Sequence, residues 1–138
     1  MKTSQDKNTE KAEKAEIKKA TTAGLKASLN ILDKWGASTD QAINILQLGR
    51  ATYFNVKKDP TRANLNNDQI ERLSYLLNMH QALRLVFDNP ENVYGFMGFE
   101  NNNEFFNGKK PLDVIATGSF GSLYETFKRI DAMRGAQW

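Results

Sequence analysis

Side chains that could carry out catalysis are few in this 138-residue chain. His80 is its only histidine and lies inside a helical pattern, so a His-based triad would need partners that no local motif identifies. Because the chain has no cysteine, a single imidazole is also a poor start for a metal site. Glu100 and Glu104 could form a carboxylate pair, but a general acid needs a desolvating pocket, and their neighbours are polar. We therefore expect no catalytic site, no metal site and no cofactor.

The C-terminal tail could bind a partner protein. It reads Arg134-Gly135-Ala136-Gln137-Trp138, so a large aromatic ring and a cation stand at a chain end, where residues usually fray. Trp and Arg are the commonest anchors of binding energy in interfaces, which suits insertion into a concave pocket. The alternative is that Trp138 folds back onto its own domain, since apolar contact is open to any large ring.

Turn-forming residues mark the elements that must position this tail. Asn89-Pro90 is typical of a helix stop and restart, because a proline in the first turn of a helix loses no hydrogen bond. Asn107-Gly108 favours positive φ, Pro111 opens a further helix, Gly118 closes it and Ser119 caps the next. In that last helix an apolar stripe recurs at helical spacing and is expected to be core: Phe120, Leu123, Tyr124, Phe127 and Ile130.

Three shorter helices are predicted in the first half of the chain. The first spans residues 24–36, the second is capped by Ser38 or Thr39, and the third begins at Arg50 and ends before Pro60. The tight middle turn is typical of a helix-turn-helix, whose second helix lays its N-terminal residues in the DNA major groove while cations hold phosphates. The DNA-binding residues expected on this basis are Arg50, Thr52, Tyr53, Asn55, Lys57 and Lys58.

The distribution of charge agrees with two different partners. Between Asp40 and Asp59 the chain has no acid but three cations, which suits a polyanion. Residues 85–108 instead carry four acids and no Lys or Arg, which would repel DNA and could steer a basic protein surface. The alternatives are a plain three-helix packing unit and ordinary solubilising charges.

The first twenty residues contain six lysines, four acids and very little apolar material. Such a segment cannot bury enough surface to fold alone, so we expect residues 1–22 to be a disordered tail or a fraying helix. An extension of the next helix is the alternative. Its lysines could attract phosphates without sequence preference, although a solubilising tail is the simpler interpretation.

Length and composition fit one compact unit or two subdomains that share a core. No apolar stretch is long enough to span a bilayer, and the N-terminus lacks the apolar segment of a signal peptide. We expect a cytoplasmic protein without disulfides, which agrees with the absence of cysteine.

The longest helix is predicted to follow a cap at Asn67 or Asp68. Its apolar residues extend over several turns: Ile70, Leu73, Leu76, Leu77, Leu83, Val86 and Phe87. Such a broad face serves either the core of the chain itself or two-fold association with a second copy.

Residues 29–138 resemble an antitoxin of the Xre/MbcA/ParS type. The segment Phe106–Gly118 is similar to the family's Phe-x-Gly-x-x-Pro-Leu-Asp string followed by a glycine five residues later. Residues 83–90 are similar to its helix end before an Asn-Pro turn. The segment Ile45–Val56 is similar to Leu-Leu-Gly-Val-Ser-x-x-Thr-Phe-Tyr-x-Trp in relatives, from which it differs at Gln47, Gly49 and Val56. The motif positions are Gly108, Pro111, Leu112, Asp113 and Gly118.

Leu123-Tyr124 and residues 130–135 resemble the subgroup paired with RES-domain toxins, which are NAD-degrading enzymes. The resemblance implies a homodimeric antitoxin of a type II system that blocks its toxin's active site and represses its own operon by binding operator DNA. The residues expected to bind the toxin are Tyr124, Lys128, Asp131, Arg134, Gly135 and Trp138. A stand-alone helix-turn-helix regulator without a toxin is the alternative, and a structural adaptor is a third possibility.

The expected fold class is all-α, with a helix-turn-helix-like bundle, a long helix and a small helical toxin-binding domain. Residues 1–22 would be the tail, residues 23–66 the DNA-binding domain and residues 67–138 the domain for dimerisation and toxin binding.

Overall fold

A computed structural model describes residues 3–135 of the chain. This part folds into seven α-helices and two short 3-10 helices and contains no strand, which confirms the all-α prediction. The α-helices are α1 (Ser4–Lys34), α2 (Thr39–Leu46), α3 (Arg50–Lys58), α4 (Asn67–Val86), α5 (Pro90–Gly95), α6 (Pro111–Ile115) and α7 (Phe120–Ala132). The 3-10 helices are Pro60–Arg62, after α3, and Phe96–Gly98, after α5. Within residues 3–135 no helix has the length and apolar composition needed to cross a membrane.

The N-terminal segment is not the disordered tail predicted from the sequence but its alternative, an extension of the next helix. Residues 4–22 are not disordered but form the first part of α1, which makes α1, with 31 residues, longer than α4, with 20. A capping box begins the helix: the Thr3 hydroxyl accepts a hydrogen bond from the Asp6 amide (3.2 Å), and the Asp6 carboxylate accepts one from the Thr3 amide (3.4 Å). Ala, Lys and Glu dominate this stretch and have high intrinsic helix propensity, so it is helical although most of its side chains are exposed.

The boundaries of α2 and α3 follow the prediction. Gly36 (φ 83°) ends the first helix, and Ser38 caps α2 through a capping box with Gln41. In the turn before α3, Gln47 adopts the left-handed conformation (φ 55°), in the place where the resembling sequences have glycine. Its side-chain amide donates to the carbonyl of Asn44 (2.7 Å), and its own carbonyl accepts from Gln69 Nε2 (2.8 Å). These hydrogen bonds offset the cost of positive φ for a side chain other than glycine.

Asn66, rather than Asn67 or Asp68, caps α4. Its side-chain oxygen accepts from the Gln69 amide (2.8 Å), and Gln69 Oε1 accepts from the Asn66 amide (2.9 Å). The helix packs on α1 and on α7, and one continuous buried cluster runs from Leu25 to Ile130. The broad apolar face of α4 is therefore used within the chain.

The turns of the second half follow the predicted residues. Asn89 caps α5 with Pro90 in its first turn, and Asn107 (φ 51°) and Gly108 (φ 85°) form the left-handed turn before α6. Gly118 (φ 83°) ends the connection after α6, and Ser119 caps α7 by accepting from the Ser122 amide (3.0 Å). Local turn chemistry therefore sets the starts of α5, α6 and α7 and the end of α6.

His80 is a half-buried residue of α4 and gives stability a defined pH dependence. Its ring stacks on Tyr94 (centroids 5.4 Å apart), and its Nδ1 is buried without a hydrogen-bond partner among the described residues. Desolvation lowers the pKa of His80 below its usual 6.5, and the cations Arg84 and Lys34 lower it further.

Stability should therefore fall as the pH decreases through about 6.5, because the unfolded chain takes up a proton that the folded chain resists. When the pH is lowered from about 7.5 to about 5.5, we expect the free energy of unfolding to fall less in His80→Gln than in the wild type. Urea unfolding at the two pH values measures this difference. Equal losses in the two proteins would show that folding does not hold His80 neutral.

Candidate functional site

The second helix of the helix-turn-helix, α3, presents one face to the core and one to solvent. Tyr53 and Val56 are buried, with 2% and 1% of their surface exposed. At about 100° per residue, the opposite face is centred on Ala51, Asn55 and Lys58, with Phe54 at its edge. All four are exposed, and Phe54 keeps 49% of its surface. This outward face of α3 is the part that a ligand can reach.

Tyr53 is a correction to the predicted DNA-binding set. Its side chain is part of the core, and its hydroxyl accepts a hydrogen bond from Lys57 Nζ (3.2 Å). Lys57 also donates to Asp33 of α1 (3.3 Å). The hydrogen bond to Tyr53, followed by the one to Asp33, raises the pKa of Lys57 despite partial desolvation. Both residues are thus turned towards α1 and do not belong to the outward face.

The other predicted residues of α3 lie at the surface. Arg50, at the start of the helix, forms an ion pair with Asp40 at the start of α2, and both side chains remain largely exposed. Thr52 is exposed on the flank of the helix, and Asn55 and Lys58 lie on its outward face. An exposed ion pair is worth little in free energy, so Arg50 can exchange Asp40 for another anion.

Sequence reasoning missed Phe54 and Ala51. The signal was present, because Tyr53 and Val56 are three residues apart and share a helical face. Phe54 lies about 100° further round the helix and therefore cannot share the burial of Tyr53.

The motif of residues 108–118 forms a junction with the helix-turn-helix. Leu112 is buried, and the Asp113 carboxylate accepts from Gln41 Nε2 of α2 (3.1 Å). A Cβ placed on Gly118 would lie 2.6 Å from Gln47 Nε2 and 3.0 Å from the Asn44 carbonyl oxygen. The motif is therefore structural: it joins the C-terminal half to α2 and to the turn that follows it.

Arg72 of α4 completes this junction and was not foreseen. Its side chain is buried, and its Nη1 donates to the carbonyls of Ile45 (3.2 Å) and Gly118 (3.0 Å). Its Nε donates to the Asp68 carboxylate (2.9 Å), and its guanidinium lies 5.7 Å from the centroid of Phe120. The sequence gives a weak signal, because Arg72 precedes buried residues by four and seven positions and so lies on the core face.

The predicted toxin-binding residues lie on and after α7. Tyr124, Lys128 and Asp131 recur at intervals of four and three and share a face, away from the buried Leu123 and Ile130. Tyr124 is therefore the exposed member of the apolar stripe that was expected to be core, with 38% of its surface exposed.

Neighbouring side chains hold this face of α7 in place. The ring of Tyr124 meets Tyr75 edge to face (5.9 Å), and Lys128 Nζ lies 5.5 Å from its centroid. Asp131 pairs with Arg134 (3.1 Å), and Gly135 follows at the surface. Trp138 lies outside the described residues.

Residues 3–135 hold no group of three His, Cys, Asp or Glu side chains that could bind a metal ion. Residues 18–78, from the middle of α1 to the middle of α4, match the family model for the antitoxin Xre-like helix-turn-helix domain. The chain is also 35% identical over 114 residues to y4oB, an uncharacterized protein of Sinorhizobium fredii. That similarity covers 82% of this chain and 85% of y4oB. No solved structure matches the chain.

Proposed function

Because this chain belongs to the same family as y4oB and matches the antitoxin Xre-like helix-turn-helix domain over residues 18–78, we propose that it is the antitoxin of a type II toxin–antitoxin pair. Its α3 binds operator DNA, and its α7 with the following residues binds and neutralises a RES-type NAD-degrading toxin. The family match over residues 18–78 carries the proposal. The presence of two exposed faces, on α3 and on α7, supports a separate surface for each partner.

In this proposal α3 is the helix that enters the major groove. The Asn55 amide suits paired hydrogen bonds with adenine, and Phe54 and Ala51 suit apolar contact with the methyl group of thymine. Lys58, at the end of the helix, and Arg50, at its start, suit contacts with phosphates. The outward face therefore favours operator half-sites that contain A·T pairs.

The proposal includes a homodimer that binds two half-sites about 34–36 Å apart, one turn of DNA. The apolar face of α4 lies within the chain, so association must use other residues. Leu85 (60%) and Phe99 (61%) are exposed apolar residues outside α3 and α7. Light scattering of the isolated protein tests this part of the proposal.

Two variants of α3 test the DNA contact. Asn55→Ala should weaken binding to the promoter of the chain's own operon by about 10- to 100-fold, and should weaken binding to unrelated DNA much less. Lys58→Ala should weaken both complexes and reduce the slope of log K against log salt by about one. Fluorescence anisotropy at several salt concentrations measures both effects.

Asn78→Ala provides the control, because Asn78 is an exposed asparagine on α4. A promoter affinity of Asn55→Ala equal to that of Asn78→Ala would remove α3 from the proposed interface.

Toxin neutralisation is proposed to be steric. The shared face of Tyr124, Lys128 and Asp131 docks on the toxin, and Arg134, Gly135 and Trp138 cover the entrance to its NAD pocket. Tyr124 suits an anchor, because a ring fixed by Tyr75 loses little further freedom on binding. The part assigned to Trp138 comes from the sequence alone.

Co-expression with the toxin tests this surface. Tyr124→Ala, and separately deletion of residues 134–138, should restore NAD loss and growth arrest while promoter binding is retained. Lys109→Ala changes an exposed residue of the same half and should still neutralise. Full neutralisation by both altered chains would exclude α7 and the tail as the inhibitory surface.

A stand-alone transcriptional regulator is the second candidate, favoured by the fact that the family match ends at residue 78. Affinity purification of the tagged chain from its native cells separates the two functions. A NAD-degrading enzyme recovered at fixed stoichiometry supports the antitoxin. Recovery with promoter DNA alone supports the regulator.

A further inference from the structure

The first half of α1 carries a continuous face of lysines. They recur at intervals of four, three and four residues: Lys7, Lys11, Lys14 and Lys18. Continued at the same spacing, this face becomes the buried face of α1, on which Leu25 and Leu32 pack in the core. The lysine face therefore lies on the same side of α1 as its buried face, in the part of the helix that precedes its first buried residue, Leu25.

Acidic residues lie to one side of the lysine face, and Glu10 borders it, four positions before Lys14. The acids of this segment lie roughly 80–160° round the helix from Lys18: Asp6, Glu10, Glu13 and Glu16. A tail that only needed solubility would not require its charges to be sorted by sign. The sorting gives α1 one face with the charge that a polyanion requires.

The lysine face lies next to the end of the helix-turn-helix. The segment Pro60–Arg62 follows Lys58 of α3 and packs against α1. A groove of about 340 Å³ separates the two, and its lining includes Lys14, Lys18 and Arg62. Arg62 thus lies beside the lysine face, and Lys58 at the end of α3 precedes it by four residues, with Asp59 between them.

The length of the segment suits the DNA that flanks the bound half-site. Residues 4–17 rise about 1.5 Å each, which gives about 20 Å of helix. One turn of duplex is about 34–36 Å long, so the length of this segment is roughly that of half a turn of DNA.

We propose that the lysine face of α1 binds the phosphates of duplex DNA next to the segment that α3 reads. The inference rests on the proposed DNA binding of α3 and adds a second, sequence-independent contact to it. Each lysine that neutralises a phosphate releases counterions, so this contact must weaken as salt rises. It strengthens operator binding without changing the choice of bases.

A pair of matched double variants tests the inference. Lys11→Gln with Lys18→Gln removes two charges from the lysine face, and Lys19→Gln with Lys26→Gln removes two from exposed positions about 80–100° away. Glutamine preserves helix propensity, which circular dichroism verifies. Fluorescence anisotropy measures binding to the promoter duplex at several salt concentrations, alongside Lys58→Ala.

We expect the first double variant to bind the promoter roughly tenfold more weakly and to lower the salt slope by about two. The control double variant should change the slope much less. A duplex trimmed to the half-sites should remove the difference between the two variants.

Equal slopes for the two double variants, with promoter binding still sensitive to Lys58→Ala, would overturn the inference and leave the function of α3 intact. Failure of the wild type to bind the promoter would overturn both. The first double variant could also leave the salt slope unchanged but dissociate a dimer of the protein. That result would show that the lysine face binds a second copy of the chain, and it would overturn the inference.

Discussion

Replacement of Arg72 by methionine should lower the free energy of unfolding by about 3 kcal/mol, although methionine fills much of the same space. The carbonyls of Ile45 and Gly118 each accept a hydrogen bond from Arg72 Nη1 in a buried position. Without that donor, each buried carbonyl costs about 1–3 kcal/mol in lost hydration. A loss of this size is a large fraction of the stability of a small domain.

Urea unfolding of Arg72→Met measures the loss, and Arg84→Met is the matched control. Arg84 lies on the same helix but is exposed, so its replacement should change stability by less than about 0.5 kcal/mol. Hydrogen exchange should also show faster opening at the end of α2 and the start of α7, which Arg72 joins. Similar stabilities of the two variants would show that Arg72 does not hold the junction.

Replacement of Gly118 by alanine should cost about 3 kcal/mol, for two separate reasons. The left-handed backbone (φ 83°) costs an L-residue about 1–2 kcal/mol. The new Cβ would also lie 3.0 Å from the Asn44 carbonyl oxygen and 2.6 Å from Gln47 Nε2. Gln47 Nε2 is the end of a flexible side chain and can move, at the cost of its hydrogen bond to the Asn44 carbonyl. The Asn44 carbonyl itself is backbone of α2, so relief of that contact requires a small shift of the helix.

Gly108→Ala isolates the packing part of this effect. Gly108 has nearly the same backbone angle (φ 85°), but a Cβ at this position meets no atom within 4 Å. The control should therefore lose about 1–2 kcal/mol, the backbone cost alone. Thermal and urea unfolding compare the two variants, and equal losses would mean that Gly118 is required only for its backbone conformation.

The contacts of Gly118 with Arg72 and with the turn at Gln47 explain why the motif of residues 108–118 needs a glycine at its end. Its last glycine must fit against the turn of the helix-turn-helix, and its carbonyl must meet Arg72. The C-terminal half is thus bonded to the half that matches the antitoxin domain family. A change at this junction should affect DNA binding and toxin neutralisation together, whereas changes on the outward face of α3 or on α7 should affect one alone.

The candidate site was predicted in part. The sequence predicted α3 as a DNA-binding helix with Asn55 and Lys58 among its contacts, and the structure has both side chains on the outward face, where the proposed contact requires them. It wrongly included Tyr53, because resemblance along the sequence does not say which side of a helix meets the core. On α7, Tyr124 was assigned both to the core stripe and to the toxin-binding residues, and the structure has it at the exposed edge of an aromatic cluster built around Tyr75.

The amino-acid sequence by itself determined where nearly every helix begins and ends. Ser38, Asn89-Pro90 and Ser119 act through hydrogen bonds or backbone restrictions that reach only three residues, so their effect is local. The helical start of α1 was equally local, since it depends on a capping box and on helix propensity. Only the tertiary structure decided which side chains are buried and what they meet. Arg72 contacts carbonyls 27 and 46 residues away, and no pattern within one helix records partners at that distance.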